Sequence, residues 1–345
     1  MNRSSSVSSD PVGPVPWLRV QPEGLWCEPG GFFVDPVRPV HRAVVTHGHA
    51  DHARPGHEAV LATPETIAIM STRYGDAAYN SMEPQAYGER LRVGDVDLRF
   101  VPAGHILGSA QVVLEHANKR VVISGDFKRR PDPTCAPFET VECDAFITEA
   151  TFGLPVFRHP PDTVAVDKIL ASLRLFPDRP HLIGVYALGK CQRLIRLLRD
   201  AGYGRPIWIH GALKALSELY ERLGVTLGEL RPATAEARRE LGGEIVLCPP
   251  SALADRWSRA FKDPVIGMAS GWMLIRQRAR QRGVELPIVL SDHADWDELT
   301  QTIADVRAGD ILVTHGREEA LVHHARSRGL RAVPLDLHGY EEEGS

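Results

Sequence analysis

The sequence predicts an α/β fold in two parts: a core of short strands, interrupted by an inserted domain whose helices alternate with the strands of a mostly parallel sheet. Three observations predict it. From Trp17 to about Phe157, short β-like segments alternate with turns. From about Pro161 to Leu286, apolar residues recur at helical spacing between short apolar runs, and after Pro287 short strands return. At 345 residues the chain exceeds one typical compact domain, and 43% hydrophobic residues suffice to fill two cores. The expected division is a tail over residues 1–16, a core over residues 17–160 and 287–340, and an insertion over residues 161–286.

The elements follow in order. Met1 to Pro16 is rich in Ser and Pro and has no apolar centre, which reads as a disordered tail and not as a signal peptide. Ala43-Val44-Val45 is a short buried strand by composition, and Thr46-His47-Gly48-His49-Ala50-Asp51-His52 leaves its carboxyl end. Residues i and i+2 leaving a strand project to one side, so His47 and His49 can converge on one ion. Asp51 and His52, expected at the start of a helix, point elsewhere and suit a second ion. Imidazole and carboxylate together favour Zn, Mn or Fe. Leu98-Arg99-Phe100-Val101 is a strand before Gly104-His105-Ile106-Leu107-Gly108-Ser109, and Val121-Val122-Ile123 is another before Ser124-Gly125-Asp126.

In the insertion, Val166, Ile169, Leu170 and Leu173 share a helical face. Cys191, Leu194, Ile195 and Leu198 do so up to Gly202, and Leu213, Leu216, Leu219, Tyr220 and Leu223 up to Gly224. Between them stand the apolar runs at residues 181–185, 206–210, 244–248 and 264–268, and no Gly-x-Gly-x-x-Gly marks a dinucleotide site. Short strands then return at Ile288-Val289-Leu290, Ile311-Leu312-Val313 and Ala332-Val333-Pro334-Leu335.

The 44 acidic and 40 basic side chains leave a net charge of −4, so a polyanion would have to be met by a local patch. Five scattered cysteines favour a reducing, cytoplasmic location over disulfides. No apolar run approaches the ~18–20 residues needed to span a membrane.

The His-x-His-x-Asp-His string, His105, Asp126 and the early Phe32-Phe33-Val34-Asp35, in that context, resemble the metallo-β-lactamase superfamily. The resemblance implies an αββα sandwich. Thr148-Glu149-Ala150-Thr151-Phe152-Gly153, the helix opening Tyr186-Ala187-Leu188-Gly189-Lys190-Cys191-Gln192, Ser291-Asp292-His293-Ala294-Asp295 and Val313-Thr314-His315-Gly316 resemble the motifs of its β-CASP branch, whose α/β (parallel-sheet) cap interrupts the sandwich. Over nearly the whole chain the resemblance is to bacterial ligase-associated DNA exonucleases.

It implies one divalent ion held by His47, His49 and His105, a second held by Asp51, His52 and His315, and Asp126 bridging both, with Zn or Mn as the metals. Asp35 would support the metal loop from behind. Two such ions share a water and lower its pKa, so the nucleophile would be that water and not a side chain. His293 would be the acid that protonates the departing 3′-oxygen, oriented by Glu149, leaving 5′-phosphate and 3′-hydroxyl ends. Lys190, Lys128 and Arg129 are expected phosphate contacts, Tyr186 and Trp272 stacking platforms, and Arg276, Arg278, Arg280 and Arg282 a basic run beside the entry.

The expected function is a two-metal DNA exonuclease on single-stranded ends in DNA repair, in a pathway shared with a DNA ligase and away from membranes. Three alternatives stand. His315 is the residue type that RNA-cutting relatives carry at the third motif, which keeps a ribonuclease open. The metal string alone permits a small-molecule hydrolase, though such enzymes need no α/β cap. A silent nucleic-acid-binding subunit would have lost ligands, whereas every one is present here.

Overall fold

The structure is a computed structural model that describes residues 15–337; the expected tail, up to residue 14, and the last residues of the expected core lie outside the described residues. The first sheet is built from β1 (Leu18–Gln21), β2 (Gly24–Cys27), β3 (Phe32–Val34), β4 (Arg42–Val44), β5 (His57–Ala62) and β6 (Tyr79–Pro84), in that spatial order. It begins as an antiparallel meander and becomes parallel from β3 onward. Between β5 and β6 lies helix α1 (Pro64–Tyr74), which the sequence reading missed. Its start is nonetheless written in the chain: Thr63 accepts the Thr66 N–H at 3.2 Å, and Pro64 occupies the first turn, where its missing N–H costs nothing.

The second sheet holds β7 (Leu91–Val93), β8 (Val96–Pro102), β9 (Ala110–His116), β10 (Lys119–Ile123) and β11 (Ala145–Ala150). Alternation explains how the two sheets pack. Val121 and Ile123 face inward onto Leu25, Phe32, Val44 and Leu61, while Val122 between them faces the outer layer. Ala43 and Val45 likewise turn away from Val44, onto Ile67 and Met70 of α1.

The insertion follows as α2 (Asp162–Leu175), β12 (His181–Gly184), α3 (Lys190–Asp200), β13 (Ile207–Ile209), α4 (Lys214–Arg222), β14 (Leu230–Pro232), β15 (Ile245–Cys248), β16 (Val265–Ala269), α5 (Arg276–Gln281) and β17 (Leu286–Ile288). Its six-stranded sheet runs β14-β13-β15-β12-β16-β17 and every pairing is parallel. A parallel sheet needs both faces covered. Ile183, Ile207, Ile209, Ile245 and Leu247 pack against the apolar faces of α2, α3 and α4, and Leu182 and Val246 on the other face pack with Leu241 and Phe261. The strand expected at Ile288-Val289-Leu290 lies two residues earlier and pairs with β16 at the edge of this third sheet.

The chain then returns through α6 (Trp296–Asp305), β18 (Asp310–Gly316), α7 (Glu318–Ser327) and β19 (Arg331–Pro334). The last two strands complete the second sheet in the order β19-β18-β11-β10-β9-β8-β7. Trp296, Leu299, Ile303, Leu321 and Val322 of α6 and α7 cover its outer face. The result is the expected αββα sandwich: α1, sheet, sheet, then α6 and α7.

Candidate metal centre and active site

The expected ligands stand at the carboxyl ends of sandwich strands, all but His315 in the loops that follow them. The loop after β4 brings His47, His49, Asp51 and His52, the loop after β8 brings His105, and the turn after β10 brings Asp126. Residues 49–54 form a turn and not the expected helix: Ala53 N–H reaches His49 O at 2.7 Å, but Pro55 disfavours continued helix. The Asp126 turn depends on Gly125, whose φ is +54° and where a Cβ would stand 2.8 Å from the Thr46 side chain. His315 sits at φ +52°, as the extra residue where β18 bulges against Glu149 and Ala150 of β11. Such a bulge re-aims a side chain, here toward Asp126.

Asp126 is the hub. Its Oδ2 lies 3.4 Å from His47 Nε2, 3.4 Å from His52 Nε2 and 3.8 Å from His105 Nε2, and its Oδ1 lies 3.9 Å from His315 Nδ1. Two groups of donors share it: His47, His49, His105 and Asp126, and His52, Asp126 and His315. Asp51 stands at the margin of the second group, with Oδ2 3.7 Å from His52 Nε2.

The hydrogen bonds behind these rings fix which nitrogen faces the centre. Asp35 accepts Thr46 N–H at 2.7 Å, Thr46 Oγ1–H at 2.6 Å and His52 Nδ1–H at 2.8 Å. The Thr46 proton being spent on Asp35, its oxygen accepts His47 Nδ1–H at 3.0 Å. His105 Nδ1–H donates to the Asp292 carbonyl at 2.8 Å, and His49 Nε2–H to the Leu188 carbonyl at 3.3 Å. Both latter rings then present lone pairs to each other, His105 Nε2 and His49 Nδ1 being 3.0 Å apart. Two facing lone pairs repel unless a cation lies between them, and His47 Nε2 is buried without a hydrogen-bond partner. The residues therefore fit divalent metal ions.

Electrostatics agree. Burial, then His52, pushes the His47 pKa well below its usual value, and burial with His293 and His49 does the same to His105, so both rings are held in the neutral form that a metal ligand requires. Burial also opposes charge on His52, but Asp126 and Asp51 outweigh it and hold its pKa well above the usual value. Burial disfavours the Asp126 carboxylate, yet His52 and His293 keep its pKa well below the ordinary range.

Glu149, buried at the end of β11, accepts Phe127 N–H at 2.7 Å through Oε1 and His293 Nδ1–H at 3.0 Å through Oε2. His293 stands 3.9 Å from Asp126 Oδ2, with its ring centroid 4.6 Å from that of His105. A groove of about 550 Å³ opens beside this centre. His49, Ala50, Asp51, Arg54 and Arg73 line one wall, and Tyr186, Leu188, Ala212 and Leu216 of the insertion line the other.

Four expected contacts have other partners. Lys128 is fully buried, its Nζ 2.6 Å from Asp132. Lys190 is 3% exposed and lies 3.3 Å from Asp292. Both are structural ion pairs and not phosphate contacts, because a cation this deep requires a carboxylate partner. Trp272 is not a platform either: it packs between Phe152 and Phe157, with the Arg278 guanidinium 4.1 Å over its ring. Arg129 is paired with Asp305 at 2.7 Å. Arg54, Arg73, Thr46, Asp292 and Arg193 carry roles that residue type and spacing did not announce, although Thr46 and Asp292 stand inside motifs already singled out.

The sequence profile of the metallo-β-lactamase superfamily matches residues 24–179. Residues 24–179 therefore carry a metallo-β-lactamase superfamily domain. Among its relatives, a protein of Opitutus terrae described as a probable DNA ligase is 29% identical over 92% of this chain and 31% of its own length. A ribonuclease of Thermus thermophilus is 30% identical over 51% of this chain and 46% of its own. The chain thus spans less than half the length of either curated relative. A crystal structure of an Enterococcus faecalis protein of unknown function covers 85% of this chain, and 78% of its own, with a TM-score of 0.55 at 12% identity. That likeness shows a shared fold over most of the chain. Divalent metals are the usual cofactors of this superfamily, and no helix among the described residues is long and apolar enough to cross a membrane.

Proposed function

We propose that this protein is a metal-dependent phosphodiesterase that digests DNA as an exonuclease on single-stranded ends, in a repair pathway shared with a DNA ligase and in the cytoplasm. The observation that carries the chemistry is the pairing of His293 with Glu149 beside the shared carboxylate Asp126. A DNA substrate is supported by the alignment of 92% of this chain with a relative described as a DNA ligase, against 51% with the ribonuclease. The working division is a sandwich over residues 17–160 and 287–340 and a cap over residues 161–286, with the cap's last strand β17 running on to Ile288.

His47, His49 and His105 would hold one ion, and Asp51, His52 and His315 the other, with Asp126 shared; zinc or manganese suits these donors. Bound there, two ions would supply a water of lowered pKa and a clamp on the phosphoryl oxygens. The protein's own groups do the rest. Glu149 accepts the His293 Nδ1–H and orients the ring, so that, when the imidazole is doubly protonated, its Nε2–H would pass a proton to the departing 3′-oxygen and leave the neutral ring bonded to Glu149. Asp35 holds His52, and through Thr46 His47, in the ligating tautomer. With Lys128 and Lys190 withdrawn into ion pairs, Arg54 and Arg73 in the groove take the phosphate contacts, and Tyr186 offers a ring for a base. Arg73 is steadied by its 2.8 Å bond to Gly48 O.

A ribonuclease is the second reading, favoured by His315 and the Thermus relative. The deciding experiment presents 5′- and 3′-labelled single-stranded DNA and RNA of one sequence to the metal-loaded protein, with Asp126→Ala as control. DNA shortening lost in the control is expected. RNA digestion without DNA digestion would overturn the substrate, and digestion surviving Asp126→Ala would overturn the site.

A further inference from the structure

We infer that the inserted domain is a working part of the first metal site, with Arg193 and Lys190 as positioning residues that hold His105 through Asp292. The inference rests on the ligand assignment proposed above. Arg193, on α3, is fully buried. Its Nη1 donates to the Ser291 carbonyl and, at 3.1 Å, to Asp292 Oδ1; its Nη2 donates to Asp162, and its Nε lies 3.4 Å from Asp132. Lys190, in the first turn of the same helix, lies 3.3 Å from Asp292 Oδ2. Both carboxylate oxygens of Asp292 are therefore gripped from α3, while its main-chain oxygen accepts His105 Nδ1–H at 2.8 Å.

Two residues before Lys190, the Leu188 carbonyl accepts His49 Nε2–H at 3.3 Å. So two of the three histidines of the first set are oriented by the insertion or by a residue it grips. His47 and His52 are oriented from within the sandwich, by Thr46 and Asp35. The two ligand sets should therefore respond differently when α3 loosens. Removing one cation from this cluster leaves one oxygen of a buried carboxylate without its partner, which favours a shift of the 291–293 loop that rehydrates it. The acceptor behind His105 moves with that loop.

Stepwise cobalt(II) titration of the metal-free full chain tests this, following the visible absorption of bound cobalt against a competing chelator, with the two steps assigned by His49→Gln and His315→Gln. Arg193→Met and Lys190→Met are expected to weaken the step that His49→Gln removes by about 10–100-fold, the usual cost of losing a group behind a metal ligand. The other step should stay at its wild-type affinity. Lys190→Arg should restore the loss. Arg196→Met removes a cation from the same helix, but Arg196 is paired with Asp200 at 2.6 Å and not with the Asp292 cluster, so it should change neither step. If Arg193→Met does not fold, Lys190→Met decides. Wild-type affinity at both steps in Lys190→Met would overturn the inference alone, as would equal weakening of both steps. Fewer than two ions on the wild-type chain would overturn the ligand assignment beneath it.

Discussion

His293 and Glu149 lie 144 positions apart in the chain and 3.0 Å apart in the fold, a pairing that gives a poised proton donor a fixed direction. His293→Ala should lower the cleavage rate by about 10²–10⁴-fold while leaving metal content unchanged. Elemental analysis alongside the rate assay checks it; loss of metal would make His293 a ligand instead. At this scale the sequence was informative where residue type and spacing sufficed. His47, His49, Asp51 and His52 sit within six positions of one loop, and no bland arrangement needs four such donors together. It misled at Lys128 and Lys190, since a lysine is almost never buried and the default reading is a solvated charge. Both are buried here because Asp132 and Asp292 are buried with them.

At the scale of elements, α1 ties the sandwich to the His105 loop. Thr63 Oγ1 accepts the Thr66 N–H that caps the helix and donates to Gly108 O at 2.7 Å. Thr63→Ala should cost about 1–2 kcal/mol, the upper part of the usual range for a lost cap. A urea midpoint unchanged from wild type would show that the cap contributes nothing. The helix lies in a stretch whose neighbours are short β-like segments, although Thr63-Pro64-Glu65 is a start signal. The bulge that carries His315 is a different case. It exists only as a register shift between β11 and β18, whose residues are far apart in sequence, so no local pattern could announce it. The edge strands β14 and β17 are similar: three residues each, they become strands by pairing with β13 and β16.

At the scale of the molecule, stability should fall with acid, and part of the reason lies away from the metals. His57 is buried, its Nδ1 accepting Val40 N–H at 3.2 Å, and burial lowers its pKa to about 4 from 6.5. Between those values the unfolded chain binds a proton that the folded protein refuses, so stability rises with pH there and is lost as pH falls from about 6.5 toward 4. His57→Asn, which keeps an acceptor but cannot titrate, should flatten that slope in urea unfolding of the metal-free protein; an unchanged slope would remove His57 from the account. The sequence by itself determined the sandwich with its inserted parallel sheet and the donor residues gathered in one loop, because these follow from local spacing and apolar periodicity, and its motifs carried the superfamily resemblance. Only the tertiary structure decided which ring nitrogens face the centre, which lysines are buried, and that α3 of the cap grips the loop behind His105. Each of these depends on partners brought together from far along the chain, and the burial they share sets the energy of every charge among them.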